Sequence, residues 1–528
     1  MGRKSWSRWG AAWLAIVALI GWCGPALADQ GASQTAPATP TGIPNDSSLS
    51  AWNQAATSQS DQIGVIPQPT LAAPGLVTGI TLGELYTNNL MLAPSGKPKQ
   101  SDLITSIQPF LKSAYSAPRF SGLLDYSVTG YLYHQHSKDN QLSQNLNAMG
   151  TLTLLPQHFF LDGTALYGQQ IINNAAPAGS GTFFLTNNRA NAATEVLSPY
   201  WIQDFGSAGI ATLRYSHGRV VYNVHGGIPG ESSATLSGIP DVTSNSLQFS
   251  LVSPIGVTWG WNLSYSDQRL EPDFGTGVQY AVAKLGTSLQ VTPDTQLLAD
   301  IGKENKFLPN GTVQKLGAGF WDAGFEWANT LDDLKMLIGH RFYGRSYQLS
   351  WTHIAALLTT NLSYTESPTD LNQQLLGQNP GELINSPGGV PRIPSLTNRQ
   401  VYLSKRATAS ATYVTAKSRL TITLYDELRT YFILNSSQER IANADISWLF
   451  DIGVFTTLTP TFGWQRYQFQ SGQINYNTYE QLALIHQFSA ENTGSIKLRS
   501  DSSNVYAGAP GAHGYRVYVI YVQWTHLF

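Results

Sequence analysis

The sequence predicts an all-β protein, a transmembrane antiparallel up-and-down β-barrel of about 22 strands, with roughly 20 to 24 as the range. Three observations support this prediction. Amphipathic segments follow one another from residue 78 onward. Only 12% of the residues are charged, whereas a soluble domain has about 25%. The last segment is a two-faced strand without a polar tail. A closed barrel accounts for all three, because lipid covers its outer face and closure pairs the last strand with the first.

The amphipathic segments have the period and length of membrane-spanning strands. In residues 257–266 every second side chain is large and apolar, namely Val257, Trp259, Trp261, Leu263 and Tyr265. The intervening residues are small or polar, a separation that helical periodicity cannot produce. Other segments of roughly 10 to 16 residues repeat the pattern, and a tilted strand needs roughly 9 to 11 to span. The mean hydropathy of −0.14 agrees, since the two faces average out.

The connections between these segments alternate between short and long. The long ones are rich in Gly, Pro and Asn and cover residues 92–101, 173–191, 226–243, 368–397 and 504–512. In outer-membrane barrels the short turns face the periplasm and the long loops face outward. An even number of strands therefore predicts that both termini lie in the periplasm. We expect one barrel domain over residues 78–528.

The amino terminus has the features of a secretory signal peptide. Basic residues precede an apolar stretch over residues 10–23, which is shorter than the roughly 20 residues of a spanning helix. The small residues at positions 26–28 predict cleavage after Ala28, which makes residues 1–28 the signal peptide. Residues 29–77 are rich in Ala, Pro, Ser, Thr and Gln and predict a disordered periplasmic tether. This tether is much shorter than the globular plug of an energy-coupled receptor.

Composition excludes several kinds of chemistry. The only cysteine is Cys23, in the predicted signal peptide, so the mature chain has no disulfide and no thiolate site. A formal charge of −2 argues against nucleic acid as a partner. No catalytic or cofactor-binding motif is found, and we expect neither an enzyme nor a cofactor. His134, His136 and Asp139 form the best metal candidate, but a polar strand rim explains them better, so no metal is predicted.

The final strand resembles the signal by which outer-membrane barrels are recognised for assembly. Val522, Trp524 and the terminal Phe528 share its apolar face, whereas Tyr521 and Gln523 belong to the other face. His526, which precedes Phe528 on the same face, departs from this signal, because an aromatic or aliphatic residue is usual at that position. We therefore expect the barrel-assembly machinery and outer-membrane lipid as partners.

Charged residues within the strands are expected to line the lumen. On the lipid side a cation costs about 2 to 4 kcal/mol at the midplane, so these residues should point inward or lie near the interfaces: Asp125, Arg406, Arg429, Asp445, Arg466, Glu480, Lys497 and Arg499. They either serve transport or only stiffen the wall through hydrogen bonds. Their mixed signs do not predict a strongly ion-selective pore.

The aromatic residues also allow two interpretations. In the first interpretation, tryptophans such as Trp201, Trp321 and Trp448 form interfacial girdles. In the second, they stack on sugar rings. The girdle interpretation is favoured for the tryptophans. Tyr131 and Tyr133 lie on a polar face and are the candidates for substrate contact.

Three short runs near the start carry a family resemblance: LYTNNL at residues 85–90, SDLITSIQP at 101–109 and LDYS at 124–127. Together they resemble the opening strands of the outer-membrane barrels associated with PEP-CTERM sorting and exopolysaccharide loci. That family commonly has Asp where this chain has Asn88. The resemblance implies a role near surface-polysaccharide export, without an established chemistry.

Three functions remain open. The first is an outer-membrane passage or docking platform for an envelope or extracellular polymer, with exopolysaccharide or export components as partners. The second is a general diffusion porin for small solutes. The third is a structural or adhesive barrel whose outer loops bind a partner while the lumen is blocked.

Overall fold

A computed structural model describes residues 75–528, except 178, 187, 225–238, 255, 310, 377–394, 397, 399, 433–436 and 507–513. The predicted signal peptide, its cleavage site at Ala28 and the predicted tether up to residue 74 lie outside the described residues.

The described residues form 22 antiparallel strands, which confirms the predicted fold class and strand number. The first eleven strands are β1 (Gly75–Thr87), β2 (Asp102–Ala117), β3 (Phe120–Tyr133), β4 (Gln141–Leu155), β5 (Phe159–Ile171), β6 (Arg189–Asp204), β7 (Ile210–Val224), β8 (Val242–Val252), β9 (Trp259–Pro272), β10 (Val278–Thr292) and β11 (Thr295–Phe307). The others are β12 (Val313–Ala328), β13 (Asp332–Arg341), β14 (Gly344–Ile354), β15 (Leu358–Thr369), β16 (Tyr402–Val414), β17 (Ser418–Tyr431), β18 (Gln438–Gly453), β19 (Thr456–Gln468), β20 (Ile474–Gln487), β21 (Asn492–Tyr506) and β22 (Tyr515–Leu527).

The sheet closes because β1 pairs with β22 as well as with β2. The seam runs from Gly79 opposite Leu527 to Thr87 opposite Val519. At one end of the seam the backbone N–H of Phe528 donates to the carbonyl of Thr78 at 3.0 Å. At the other end Asn88 Oδ1 accepts from the N–H of Tyr518 at 2.8 Å. Closure gives the two terminal strands the hydrogen-bonding partners that a free edge would lack in lipid.

The connections define the two ends of the barrel, and the longest ones all lie at one end, as the sequence predicts, although the connection between β13 and β14 at that end has only two residues. At the short-turn end, residues 118–119 join β2 to β3 and residues 293–294 join β10 to β11. At the long-loop end, residues 172–188 join β5 to β6 and residues 370–401 join β15 to β16. Both the first described residue, Gly75, and the last, Phe528, lie at the short-turn end, as the even strand number requires.

Successive side chains point to opposite sides of the wall. On β22, Ile520, Val522 and Trp524 are 41–52% exposed on the outer face, whereas Val519 and Tyr521 are buried on the lumen face. Large apolar side chains continue around the outer face, including Leu132, Leu263, Leu285, Ile301, Met336 and Leu498. A monomeric soluble protein rarely exposes such a continuous apolar surface. The apolar belt therefore faces lipid.

Helical structure is minor. In the part of the chain that the structure describes, one α-helix, α1 (Leu371–Leu376), follows β15, and single 3₁₀ turns lie at Ser137–Asp139 and Gly206–Ala208. Within the described ranges, no helix is long and apolar enough to cross a membrane.

The assignment of faces predicts opposite effects for two neighbouring substitutions in β14. Leu349 points outward near the middle of the strand, between Met336 and Tyr364, and Gln348 is exposed on the lumen face. Leu349→Lys should lower the free energy of unfolding by about 2 to 4 kcal/mol, because the ammonium group would lie in hydrocarbon. Gln348→Lys, the matched control, should change it by less than about 0.5 kcal/mol. Urea titration of both variants in liposomes measures this, and equal effects would contradict the assignment.

Candidate functional site

Paired charges line the lumen wall on one side of the barrel. Their closest nitrogen–oxygen distances are 2.9 Å for Lys112–Asp125, 2.6 Å for Arg214–Asp162, 3.2 Å for Lys284–Asp300, 2.6 Å for Arg341–Asp322 and 2.7 Å for Arg341–Glu304. The cationic side chains of these groups are 17–32% exposed, so solvent reaches them. Each cation is balanced by a nearby carboxylate, and this arrangement gives the wall no strong preference for ions of one sign.

The opposite side of the wall carries a buried polar cluster centred on Glu427 and Arg429. Neither side chain is exposed, and Arg429 NH2 lies 2.7 Å from Glu427 Oε2. The same carboxylate oxygen accepts from the hydroxyl of Tyr425 at 2.7 Å. Arg429 NH1 donates to the hydroxyl of Tyr467 at 3.1 Å and lies 3.6 Å from Glu439 Oε2. A buried charge of this kind is tolerated only because its partners satisfy it.

Strands β18 to β21 extend this polar wall. Tyr479 donates to Asp445 Oδ1 at 3.1 Å, and its ring lies over Gly463 on the neighbouring strand. A side chain at position 463 would collide with that ring, so glycine is required there by close approach. Arg499 Nε donates to Asp501 Oδ1 at 2.7 Å, and both residues are buried.

The loop of residues 172–188, called loop A, folds into the long-loop mouth of the lumen. Its Phe183 and Phe184 are 0% and 1% exposed. They pack with lumen-facing residues of β1, β2, β3 and β22, among them Leu85, Ile104, Tyr133, Val517 and Tyr521. Burying an aromatic side chain removes a large apolar area from water. Loop A is therefore fixed to the wall by the hydrophobic effect.

Hydrogen bonds hold loop A in the same position. The carbonyl of Phe183 accepts from Tyr133, and the hydroxyls of Tyr131 and Thr182 are 2.9 Å apart. Arg189 NH2 donates to the carbonyls of Gly179 and Gly181 at 3.0 and 2.8 Å. These bonds satisfy backbone groups of loop A that burial would otherwise leave unpaired.

The loop of residues 370–401, called loop B, begins with helix α1, which crosses to distant strands. Leu371 and Leu375 are buried against Ile172, Val220 and Leu396. Gln373 Nε2 donates to Gln268 Oε1 of β9 at 3.1 Å. Loop B also contacts loop A directly, because the N–H of Leu396 donates to the carbonyl of Ile172 at 2.9 Å.

The start of α1 depends on a buried carboxyl group. Asp370 is 1% exposed, and its Oδ1 accepts from the N–H of Gln373 at 2.7 Å, as in a helix N-cap. Its Oδ2 accepts from the hydroxyl of Tyr280 at 3.0 Å. Burial raises the pKa of the Asp370 carboxyl to about 6, because desolvation disfavours the charged form.

Aromatic side chains occupy the mouth beside α1. Phe307 at the end of β11 stacks on Phe432 after β17, with ring centroids 5.6 Å apart. Phe342, in the turn between β13 and β14, contacts both rings. Tyr280 lies 5.4 Å from Phe307 and connects this aromatic cluster to Asp370. The described parts of loops A and B and the aromatic cluster thus narrow the lumen at the long-loop end.

Six of the eight charged residues predicted for the lumen lie on its wall: Asp125, Arg406, Arg429, Asp445, Lys497 and Arg499. Asp125 is paired with Lys112, and Arg406 NH2 lies 3.4 Å from Glu427 Oε1. Lys497 and Arg499 are 2% and 4% exposed. Asp125, Arg406 and Arg499 thus have charged partners in the wall, and Lys497 is buried there.

Arg466 and Glu480 lie on the outer face, which corrects their expected lumen position. Arg466 alternates with the buried lumen residues Gln465 and Tyr467, two residues from the end of β19. Glu480 is exposed and shares its face with Leu482. Glu480 lies level with Tyr518, one row nearer the long-loop end than Leu482. Both charges are placed toward that end of the apolar belt, where water and headgroups lower the cost of exposure.

The other sequence candidates fall into two groups. Trp201, Trp321, Trp448 and Trp524 are exposed on the outer face, in agreement with the girdle interpretation. Val522 and Phe528 lie on that face too and are 52% and 80% exposed; their role in assembly stays a prediction.

Tyr131 and Tyr133 are 7% and 2% exposed because loop A covers them, so they do not offer the substrate contact that was considered. His136 Nδ1 lies 2.7 Å from Asp102 Oδ2. Over the described part of the chain, no three His, Cys, Asp or Glu side chains are grouped to hold a metal ion.

Sequence reasoning missed the inward loops. The available signals were two adjacent phenylalanines at positions 183 and 184 and three leucines at 371, 375 and 376, all in long connections. Large apolar side chains in an outer loop imply burial, because exposing them to water is unfavourable. What buries them comes from strands distant in sequence, which a local pattern does not reveal.

The closed sheet, the apolar outer belt and the polar interior define a transmembrane β-barrel of the outer-membrane type. No protein-family model and no curated protein matches the sequence. Among solved structures, the chain is similar to the siderophore receptor PirA from Pseudomonas aeruginosa, with 11% identity, coverage of 87% of this chain and 81% of that chain, and a TM-score of 0.42. It is also similar to the FrpB iron transporter from Neisseria meningitidis, with 8% identity, coverage of 86% and 81%, and a TM-score of 0.48. At these identities the likeness concerns the fold alone and carries no argument about function.

The buried cluster predicts a large effect for Arg429→Ala. The substitution removes the closest cation from the buried Glu427 and Glu439 and leaves Glu427 only Arg406, at 3.4 Å, so the free energy of unfolding should fall by about 3 to 5 kcal/mol. Arg440→Ala is the matched control, because Arg440 pairs with Asp426 on the outer face and their side chains are 54% and 41% exposed. It should cost about 0 to 1 kcal/mol. Urea unfolding of both variants tests this, and similar losses would contradict the role assigned to burial.

Asp370 predicts a pH dependence of stability that Asp370→Asn should remove. The folded pKa of about 6 lies above the ordinary value of 3.8, so the unfolded chain loses its proton first as the pH rises. The wild type should therefore lose stability relative to the variant between about pH 4 and 6, by about 3 kcal/mol in total. Above this window the difference should stay constant. Denaturant titrations at several pH values measure it, and a difference that is the same at pH 4 and pH 7.5 would exclude the proposed linkage.

Proposed function

We propose that the protein resides in the outer membrane and provides a narrow passage or docking platform for an envelope or extracellular polymer, namely polysaccharide. The observation that supports a passage is the polar wall with solvent-accessible, charge-balanced pairs such as Lys112–Asp125 and Lys284–Asp300. A wall of this kind suits an uncharged, strongly hydrated molecule better than a single ion. The choice of polysaccharide rests on the resemblance of the opening strands.

In this proposal the described parts of loops A and B form the gate at the outer mouth. Loop A is held by Phe183 and Phe184 and by the Arg189 guanidinium, and loop B is attached to it at Ile172. A barrel of 22 strands encloses a lumen wide enough to need such filling. Displacement of the loops would then open the passage without any change in the strands.

Bilayer conductance tests the gate. Wild-type protein should conduct weakly, and Phe183→Ala with Phe184→Ala should raise the single-channel conductance several-fold, because each lost aromatic removes about 3 to 5 kcal/mol of packing. Phe205→Ala is the matched control, since Phe205 is 53% exposed in a short turn at the opposite end. It should leave the conductance unchanged. If the double variant conducts no better than wild type, loop A is not the gate.

A deletion strain tests the polymer. Loss of the protein should reduce the release of extracellular polysaccharide, and the wild-type gene should restore it. The passage would be refuted if polysaccharide release were unchanged in the deletion strain and neither the wild type nor the Phe183→Ala, Phe184→Ala variant conducted. Conductance that scales with bulk salt, with unchanged polymer release, would instead support a general diffusion porin.

The narrowed mouth favours a second candidate, a structural or adhesive barrel that binds a partner through its outer loops. The supporting observation is that loop A, α1 and the Phe307–Phe432 cluster all occupy the mouth. Removal of residues 377–394 should then abolish binding to the partner surface without altering conductance. A rise in conductance on the same deletion would favour the gated passage.

A further inference from the structure

The outer face of β9 to β13 contains a groove within the apolar belt. Its volume is about 660 Å³, within the roughly 300 to 1,000 Å³ of small-molecule sites. Leu263, Leu285, Ile301 and Trp321 form one row of its lining, since each lies opposite the next on adjacent strands. The groove is therefore almost wholly apolar and opens toward lipid.

Small residues create the groove. In the next row toward the long-loop end, Ala283 and Gly319 lie on either side of Lys303. A Cβ at Gly319 would meet only the carbonyl oxygen of Gly302, at 3.8 Å, which is an ordinary contact distance, so a larger side chain is not excluded there. The neighbouring row of larger side chains supplies the floor on which a hydrocarbon chain would rest.

Basic side chains border the groove on two sides: Lys303 lies one row nearer the long loops than Ile301, whereas His340 and Arg345 continue the row of Trp321 onto β13 and β14. Lys303 is exposed, and His340 and Arg345 lie opposite each other on β13 and β14, also exposed. Among the residues that the structure describes, no carboxylate pairs with any of these three. The nearest acid on the outer face of β9, Asp267, is already paired with Lys315 at 2.6 Å.

We propose that this groove binds a phosphate-bearing membrane lipid. One acyl chain would lie along Leu285, Ile301 and Trp321, and the phosphate would contact Lys303 and Arg345, with His340 as a further donor. Cations at a membrane surface attract anionic headgroups, and the apolar row below continues directly into the belt. A second copy of the chain fits less well, since a twofold interface would bring these cations against each other.

Tryptophan quenching by brominated lipids tests the proposal on the full-length protein in nanodiscs. The difference between wild type and Trp321→Phe isolates the emission of Trp321. Brominated phosphatidylglycerol should quench it at lower lipid fraction than brominated phosphatidylcholine with the same chains. We expect a preference of roughly fivefold for each cation, about thirtyfold for Lys303 with Arg345.

Three variants distinguish the contribution of the headgroup contacts to lipid binding from that of the acyl-chain contacts. Lys303→Gln with Arg345→Gln should abolish the preference, whereas Arg440→Gln, which removes a paired cation elsewhere on the outer face, should leave it intact. Gly319→Leu places a larger side chain in the groove without a close contact at its Cβ, so the variant should fold and should weaken the binding of both lipids equally. A preference that survives in the double variant would overturn the proposal. So would self-association of wild type, measured by sedimentation, that Gly319→Leu abolishes, because the occupant would then be a second copy.

Discussion

The requirement that every backbone group within the wall has a partner determines the rest of this structure. In hydrocarbon an unpaired strand edge is too costly, so the first and last strands must meet. The seam between β1 and β22 extends over nine residue pairs and is reinforced on the lumen side by the hydroxyls of Thr81 and Thr525, 2.8 Å apart. The side chain of Asn88 extends this pairing, because its Oδ1 accepts a hydrogen bond from the N–H of Tyr518. An aspartate carboxylate at this position would supply the same acceptor. Closure then fixes which face of every strand meets lipid and which meets the lumen.

The alternation of apolar and polar side chains along each strand allowed the strands and their faces to be predicted from the sequence. The faces of residues 257–266 and of β22 follow directly from alternation, because a one-residue shift would place a whole apolar set in water. The same rule explains where the prediction of the lumen charges failed. Glu480 shares its parity with Leu482, and Arg466 shares its parity with Trp464. Their placement was inferred from the cost of a charge in lipid rather than from alternation. That cost depends on depth, which the sequence pattern does not specify.

The inward loops were beyond local prediction for a physical reason. Phe183 and Phe184 are in a Gly- and Asn-rich connection that has the composition of an exposed loop. The site that buries them is built from Leu85, Tyr133 and Val517, which come together only in the closed barrel. Likewise α1 is too short to be stable alone and depends on Asp370 and on contacts with β6, β7 and β9. The wall thus follows from local pattern, whereas the filling of the lumen follows from tertiary contacts.

The position of Phe183 has a consequence for the order of folding. Its contacts include Tyr131 of β3 and Tyr521 of β22, so the pocket is shared by strands synthesised early and strands synthesised late. Loop A cannot reach its final position while the two ends of the sheet are still apart. The part of the mouth that loop A fills therefore narrows only after β1 and β22 have paired. Burial of Phe183 therefore reports closure of the wall, because its pocket exists only when the first and last strands are paired.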